Sequence, residues 1–276
     1  MAVERRRLAS AALLAALLST GPAIAQATDG GTIVYNTPLR ICADPDDMPY
    51  SNKAGQGFEN KLAEMAAKHL DTTVAYTWFA QRGGFISATL NAGECDVIMG
   101  VPNLNGVDST RSYYRSSYVF VSRADRNLSF SSMTDPHLKH LKIGVPLIGA
   151  DGTGTPPAIA LGEEGIFDRV VGFPVYGNSS GTPPMAAPIE AVARGDIDIA
   201  AVWGPIGGYY ASQAKVPLRV VPITDTTQFL PQMFEYPIAM AVRSGDTDLK
   251  DRLDGFIRTH RTEIAALLKS YGVPLL

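Results

Sequence analysis

From residue 39 onward, short apolar runs of strand length alternate with stretches whose apolar residues recur at helical spacing. That alternation constrains the fold more than any other feature, because such a chain lays strands and helices in turn around a mostly parallel sheet. A strand is expected at 39–43. A helix follows at 57–70, where Phe58, Leu62, Met65 and Leu70 lie close to one face, and then a strand at 74–79. A helix at 85–91, stopped by Gly93, and a buried strand at 96–101 complete a βαβαβ unit. After residues 118–122 a second series begins. It comprises a strand at 142–145, a helix opening at Pro156 and Pro157, a strand at 170–174, a helix at 189–194, and strands at 197–202 and 218–221. The last segments, a strand at 237–242 and a helix at 248–271, have no complete sheet of their own and are expected to return to the first unit.

The expected architecture is therefore α/β and two-lobed, each lobe a mostly parallel sheet flanked by helices, with a two-segment hinge. Lobe I takes residues 26–123 and 236–276, and lobe II takes 128–224. The crossings fall at 124–127 and 225–235. Such a hinge permits closure over a ligand. In open parallel sheets ligands sit beyond the carboxyl ends of the strands, where helix amino-termini also point. Segments 44–51, 102–111, 149–155, 176–182 and 203–205 are thus the places to look for a site.

Ahead of this region lie Arg5, Arg6 and Arg7, an apolar run at 8–18, and the small-residue exit Ala23-Ile24-Ala25. That order reads as a secretory signal peptide over 1–25, too short in its apolar part for a bilayer span of roughly 20 residues. No later stretch is long enough to span a membrane. Removing three arginines and Glu4 takes the net charge from −3 to −5. With no basic surplus to neutralise phosphates, a nucleic-acid partner is not expected. Export also frames the two cysteines, Cys42 and Cys95. In an oxidising compartment two thiols commonly pair. Each flanks an apolar strand, so a disulfide is sterically allowed if those strands are neighbours; two buried free thiols are the alternative.

No catalytic constellation stands out. The histidines, His69, His137, His140 and His260, are scattered in sequence and lack zinc-site spacing. The glycine-rich stretch at 149–154 has neither the Lys-Ser/Thr ending of a P-loop nor a dinucleotide fingerprint; it reads as a turn feeding a helix, with peptide N–H groups able to hold an anion. Asp44, Asp46 and Asp47 are interrupted by Pro45 and Pro49, without the glycine turn and distal glutamate of a calcium loop, so no metal site is expected. Arg111 follows the third strand and carries the planar fork that grips a carboxylate, with a plain surface arginine as the other reading. Tyr50, Tyr113, Tyr114, Trp203, Tyr209 and Tyr210 either line a cleft, form an interaction face or simply pack.

The runs Cys42-Ala-Asp-Pro-Asp-Asp-Met-Pro-Tyr-Ser-Asn52, Gly57-Phe-Glu-Asn60 and Leu90-Asn-Ala-Gly-Glu-Cys-Asp-Val-Ile-Met-Gly-Val-Pro102 resemble those of type II periplasmic binding proteins. Further stretches narrow the resemblance: Thr110-Arg-Ser-Tyr-Tyr-Arg-Ser-Ser-Tyr-Val-Phe120, Ile143-Gly-Val-Pro-Leu-Ile-Gly-Ala-Asp-Gly152, Thr155-Pro-Pro157 and Val202-Trp-Gly-Pro-Ile-Gly-Gly-Tyr209. They are similar to one branch, the binding-protein-like component associated with quinoprotein methanol dehydrogenases, and the likeness runs over residues 39–274. The resemblance implies a periplasmic location. It also implies a non-enzymatic accessory role in PQQ-dependent methanol or alcohol oxidation, binding the dehydrogenase and assisting its maturation or activation. The dehydrogenase, with its cytochrome c, is the implied partner; the quinone and any calcium or lanthanide would belong to that enzyme, leaving this chain without a cofactor.

In amino-acid receptors of the wider fold, an Arg at the place of Arg111 holds the substrate carboxylate. An Asp after the strand at 200–202 pairs with the ammonium, and Trp203 stands there instead. Breaking a buried ion pair in this way costs about 3–5 kcal/mol, so ordinary amino-acid transport is not expected. The competing reading is a transport receptor for a small carboxylate or other anion, held by Arg111 and the helix amino-terminus after Gly154. A small dehydratase is a third, lacking a histidine in any expected cleft loop. The candidate cleft residues are Asp44, Tyr50, Ser51, Thr110, Arg111, Asp151, Thr153, Thr155, Tyr176 and Trp203.

Overall fold

The computed structural model describes residues 37–102, 104–148, 154–175 and 183–276. The expected signal peptide at 1–25, the glycine-rich turn at 149–153, and Asp151, Thr153 and Tyr176 among the candidate residues lie outside the described residues.

The first half of the chain contributes β1 (Leu39–Ala43), the short hairpin β2 (Asp46–Asp47) and β3 (Ser51–Asn52), α1 (Phe58–His69), β4 (Val74–Trp78), α2 (Phe85–Ala88), β5 (Val97–Val101) and β6 (Asp108–Ser109). A ten-residue strand, β7 (Tyr114–Arg123), leads on. The series β8 (Ile143–Leu147), α3 (Pro156–Glu163), β9 (Val170–Pro174), α4 (Ala187–Arg194), β10 (Ile199–Trp203), α5 (Gly204–Gln213) and β11 (Leu218–Pro222) follows. The chain closes with β12 (Glu235–Val242), α6 (Thr247–Thr259) and α7 (Arg261–Ser270).

The strands form a mixed sheet in the order β4-β1-β5-β12-β7-β10-β8-β9, with β11 on β7 and β6 on β12. Pairing is parallel along β4-β1-β5 and along β10-β8-β9, whereas β7 and β12 run antiparallel to their neighbours. Strand β7 divides its partners: Tyr114–Ser117 pairs with β12, and Tyr118–Arg123 pairs with β10 and β11. Helices cover the faces, giving the two-lobed periplasmic-binding-protein architecture.

Because the parallel strands are buried on both sides, they read as unbroken apolar runs rather than as alternation. In the first lobe Ile41, Val97, Met99 and Met240 meet Phe58 and Leu62 of α1 and Leu253, Phe256 and Ile257 of α6. Phe58 and Phe256 are fully buried, worth about 2–3 kcal/mol each. In the second lobe Ile143, Val145 and Ala201 face Leu161 and Phe234, while Val119, Ala200 and Val202 on the other side face Ile189 and Val192 of α4 and Ile206 of α5. Cys42, on β1, and Cys95, just before β5, are joined by a disulfide with a Cα separation of 5.5 Å, so the two strands are indeed neighbours.

Three local expectations change. The helix expected at 248–271 breaks at His260, whose backbone turns out of helical geometry (φ −104°, ψ 22°); the break lets Phe256 and Ile264 both reach the core beneath α1. The helix expected at 85–91 ends at Ala88, and Gly93 takes its positive φ of 79° in the turn beyond it. His69 and His260, far apart in sequence, come together with their ring nitrogens 3.2 Å apart.

Candidate functional site

A cleft of about 650 Å³ opens beyond the carboxyl ends of β1, β5 and β10 and is lined from both lobes. Its shape begins with a glycine. At Gly57 an added Cβ would lie 2.0 Å from the carbonyl oxygen of Tyr50, so only glycine lets the start of α1 seat against that loop. The loop then supplies the acceptors that the helix start lacks: Pro49 O accepts from Phe58 N–H and Tyr50 O from Glu59 N–H, both at 2.9 Å. Asn60, fully buried, fixes the same junction, its Oδ1 accepting from the backbone N–H groups of Gly57 and Asn52 at 3.0 Å. The result is that Glu59, in the first turn of α1, is turned into the cleft.

Gly100 of β5 is the floor beneath Glu59. A Cβ there would meet Glu59 Oε1 at 1.9 Å. Burial pushes the Glu59 carboxyl up to about 8, with the nearby Asp47 adding to the rise. Asp47 itself is pushed up to about 7, by burial first and then by Asp44 and Asp46. Burial likewise raises the hydroxyls of Tyr50, Tyr113 and Tyr114 well above the ordinary tyrosine value. Among the described lining residues the acids Asp44, Asp46, Asp47 and Glu59 face one basic residue, Arg82.

The remaining wall is aromatic. Trp203, at the end of β10, packs edge-on against Tyr118 at 5.4 Å and Tyr236 at 5.7 Å between ring centroids. Tyr50 packs edge-on against Phe58 at 5.3 Å. Tyr210 of α5 crosses from the other lobe, its hydroxyl donating to Met48 O at 3.1 Å. Thr155, at the start of α3, is 2% exposed, and its Oγ1 has no hydrogen-bond partner among the described residues.

Of the residues expected in the cleft, Asp44, Tyr50, Thr155 and Trp203 line it. Asp44 is occupied as a turn-former: Oδ1 accepts from Asp46 N–H at 2.9 Å and Oδ2 from Gln81 N–H at 2.6 Å. Ser51 lies behind it, buried, donating to Asp44 O at 2.8 Å. Thr110 and Arg111 stand outside. Thr110 Oγ1 is spent on backbone, accepting from Met240 N–H and donating to Arg111 O. Arg111 turns to α6, its N–H donating to Asp254 at 2.6 Å and its half-exposed guanidinium 3.8 Å from the same carboxylate. The carboxylate grip expected of Arg111 is therefore not formed in the cleft, because Asp254 takes that arginine. Glu59, Tyr118 and Tyr236 were not singled out as cleft residues, whereas Asp47 falls in the expected segment 44–51 and Tyr114 among the aromatics that could line a cleft. The available signal was the Glu in Gly57-Phe-Glu-Asn60, one residue after a phenylalanine that must point into the core.

No protein-family profile matches the chain. The protein MoxJ of Methylorubrum extorquens is 31% identical over 252 residues, covering 86% of this chain and 81% of that relative. The crystal structure of the periplasmic binding protein XoxJ from Methylobacterium extorquens AM1 superposes with a TM-score of 0.71 at 34% identity, over 86% of this chain and 99% of that one. That of MxaJ from Methlophaga aminisulfidivorans MPT does so with a TM-score of 0.74 at 28% identity, over 86% and 100%. With this identity over nearly the whole of the described body, the chain belongs to the MoxJ and XoxJ family of periplasmic binding proteins.

Proposed function

We propose that this protein is a periplasmic accessory component of PQQ-dependent methanol or alcohol oxidation, which binds the quinoprotein dehydrogenase and assists its maturation or activation. The observation that carries the reading is Trp203, packed between Tyr118 and Tyr236 in the cleft where amino-acid receptors place an acid. Together with Arg111 engaged by Asp254, it removes both ends of an α-amino-acid clamp and leaves a broad aromatic face suited to a protein partner. Membership of the MoxJ and XoxJ family supports the same setting. The acid-rich lining weighs against a receptor for carboxylates or other anions, since a second negative charge would enter a cleft that already disfavours its own. The hinge is proposed at the crossings 124–127 and 225–235, the first following β7 and the second leading into β12; β7 itself changes partners at 117–118.

Crosslinking in whole periplasm of alcohol-grown cells is expected to join the mature protein to a quinoprotein subunit, with a cytochrome c as a further candidate. A deletion strain is expected to lose dehydrogenase activity. Normal activity in that strain, together with no crosslinked dehydrogenase, would overturn the proposal.

A further inference from the structure

We propose that the cleft binds an organic cation, an ammonium group carried on an aliphatic stem, with Tyr114, Tyr118, Trp203 and Tyr236 as its aromatic walls and Asp47 and Glu59 as its counter-charges. The inference concerns what the cleft holds and stands whether or not the dehydrogenase is the partner.

The faces of tyrosine and tryptophan attract cations, and do so more strongly when water is excluded. Here such rings and two carboxylates line the same space. The acids are placed at some expense to the fold. Glu59 lies against the backbone of β5 only because Gly100 has no side chain, and α1 starts where it does only because Gly57 has none. The hydroxyl of Thr155, buried on the second lobe's wall and without a hydrogen-bond partner among the described residues, offers a hydrogen-bond acceptor for an ammonium N–H. At about 650 Å³ the space is of ligand-pocket size, ample for an alkylammonium stem, whether of a free amine or of a lysine presented by a partner protein.

The acids also give a pH signature. Asp47 faces Asp44 and Asp46 on its own loop and Tyr210 on α5. Glu59 faces Asp47, with Tyr50, Tyr113 and Tyr114 nearby, and Arg82 lies on the same cleft. With carboxyls at about 7 and about 8 in the cleft, an arriving cation favours their ionised forms. Binding near neutral pH then releases protons and tightens as pH rises through that window.

Calorimetry on the mature protein at pH 7.5 tests this with butylammonium, tetramethylammonium and Nα-acetyl-lysine methylamide, against butanol and butyrate as neutral and anionic counterparts. The cations are expected to bind, with an apparent heat that changes with the ionisation enthalpy of the buffer, and butyrate is expected to be silent. Glu59→Gln and Asp47→Asn should each weaken cation binding about tenfold, the equivalent of about 1.4 kcal/mol. Trp203→Leu serves as a second route should either acid variant melt early. Butyrate binding as tightly as butylammonium, silence of all three cations at millimolar concentration, or unchanged affinity in folded acid variants would each overturn the proposal. Loss of the partner crosslink when the lysine derivative is added before the crosslinker would identify a protein lysine as the source; binding of butylammonium without such a loss would identify a free amine.

Discussion

Two glycines decide the chemistry of the cleft residue by residue. Gly100→Ala introduces a methyl where Glu59 Oε1 now sits, 1.9 Å from its position, so the carboxylate must leave its place while the β5 backbone stays. Loss of cation binding with a modest stability change of about 1–2 kcal/mol is expected, measured by calorimetry beside a denaturant titration. Gly57→Ala is harsher, because the obstruction is the backbone of Tyr50 rather than a movable side chain, and about 3 kcal/mol is expected from the same titration. Glu59 and Asp47 also set a pH dependence. Their folded values, about 8 and about 7, lie above the ordinary 4.5 and 3.8. The folded state thus holds more protons than the unfolded state between these limits, and stability falls as pH rises from about 4 to 8. Urea midpoints across that range should show the decline, and Glu59→Gln should flatten it. Glu59 eluded sequence reading, and the burial of Asp47 within the expected segment 44–51 did too, because charge alone does not reveal burial. Arg111 left two readings open for the converse reason: a well-placed fork after a strand gives no hint that Asp254, far along the chain, lies beside it.

At the scale of elements, the strands were legible because double-sided burial leaves continuous apolar runs, and β1, β4, β5, β8, β9 and β10 lie within a few residues of the expected positions. Helix α5 was not legible. Gly204, Pro205, Gly207 and Gly208 argue against a helix by propensity, yet each glycine marks a close approach: a Cβ on Gly204 would meet Ser117 O at 2.5 Å, and one on Gly208 would meet Gly272 O at 1.9 Å. Packing overrides propensity there. The disulfide ties β1 to the entry of β5, closing a loop of 53 residues that contains the acid loop, α1 and β4. Cys42→Ser is expected to lose about 3 kcal/mol in oxidising buffer, and wild type and variant should converge once reductant is added; equal stabilities in oxidising buffer would show that the bond contributes nothing.

Across the whole molecule, the lobes touch at the cleft through Tyr210 and Met48, and elsewhere through α5 against the residues following α7, where Ser116 Oγ also donates to Pro274 O at 2.6 Å. Tyr210→Phe removes a single hydrogen bond that spans the cleft. About 1 kcal/mol is expected, and a larger radius of gyration by solution scattering would show that this bond holds the lobes together; an unchanged profile would assign that task to the remaining contacts, the α5 packing and the Trp203–Tyr236 pair among them.

The divided allegiance of β7 carries a mechanical consequence. One unbroken backbone belongs to both ladders, so pulling the halves straight apart would have to rupture rungs around Ser117, whereas a twist shared over successive residues leaves every rung intact. Relative movement of the halves is accordingly expected to be torsional, a gradual wringing about the strand axis, opposed by peptide geometry along that backbone.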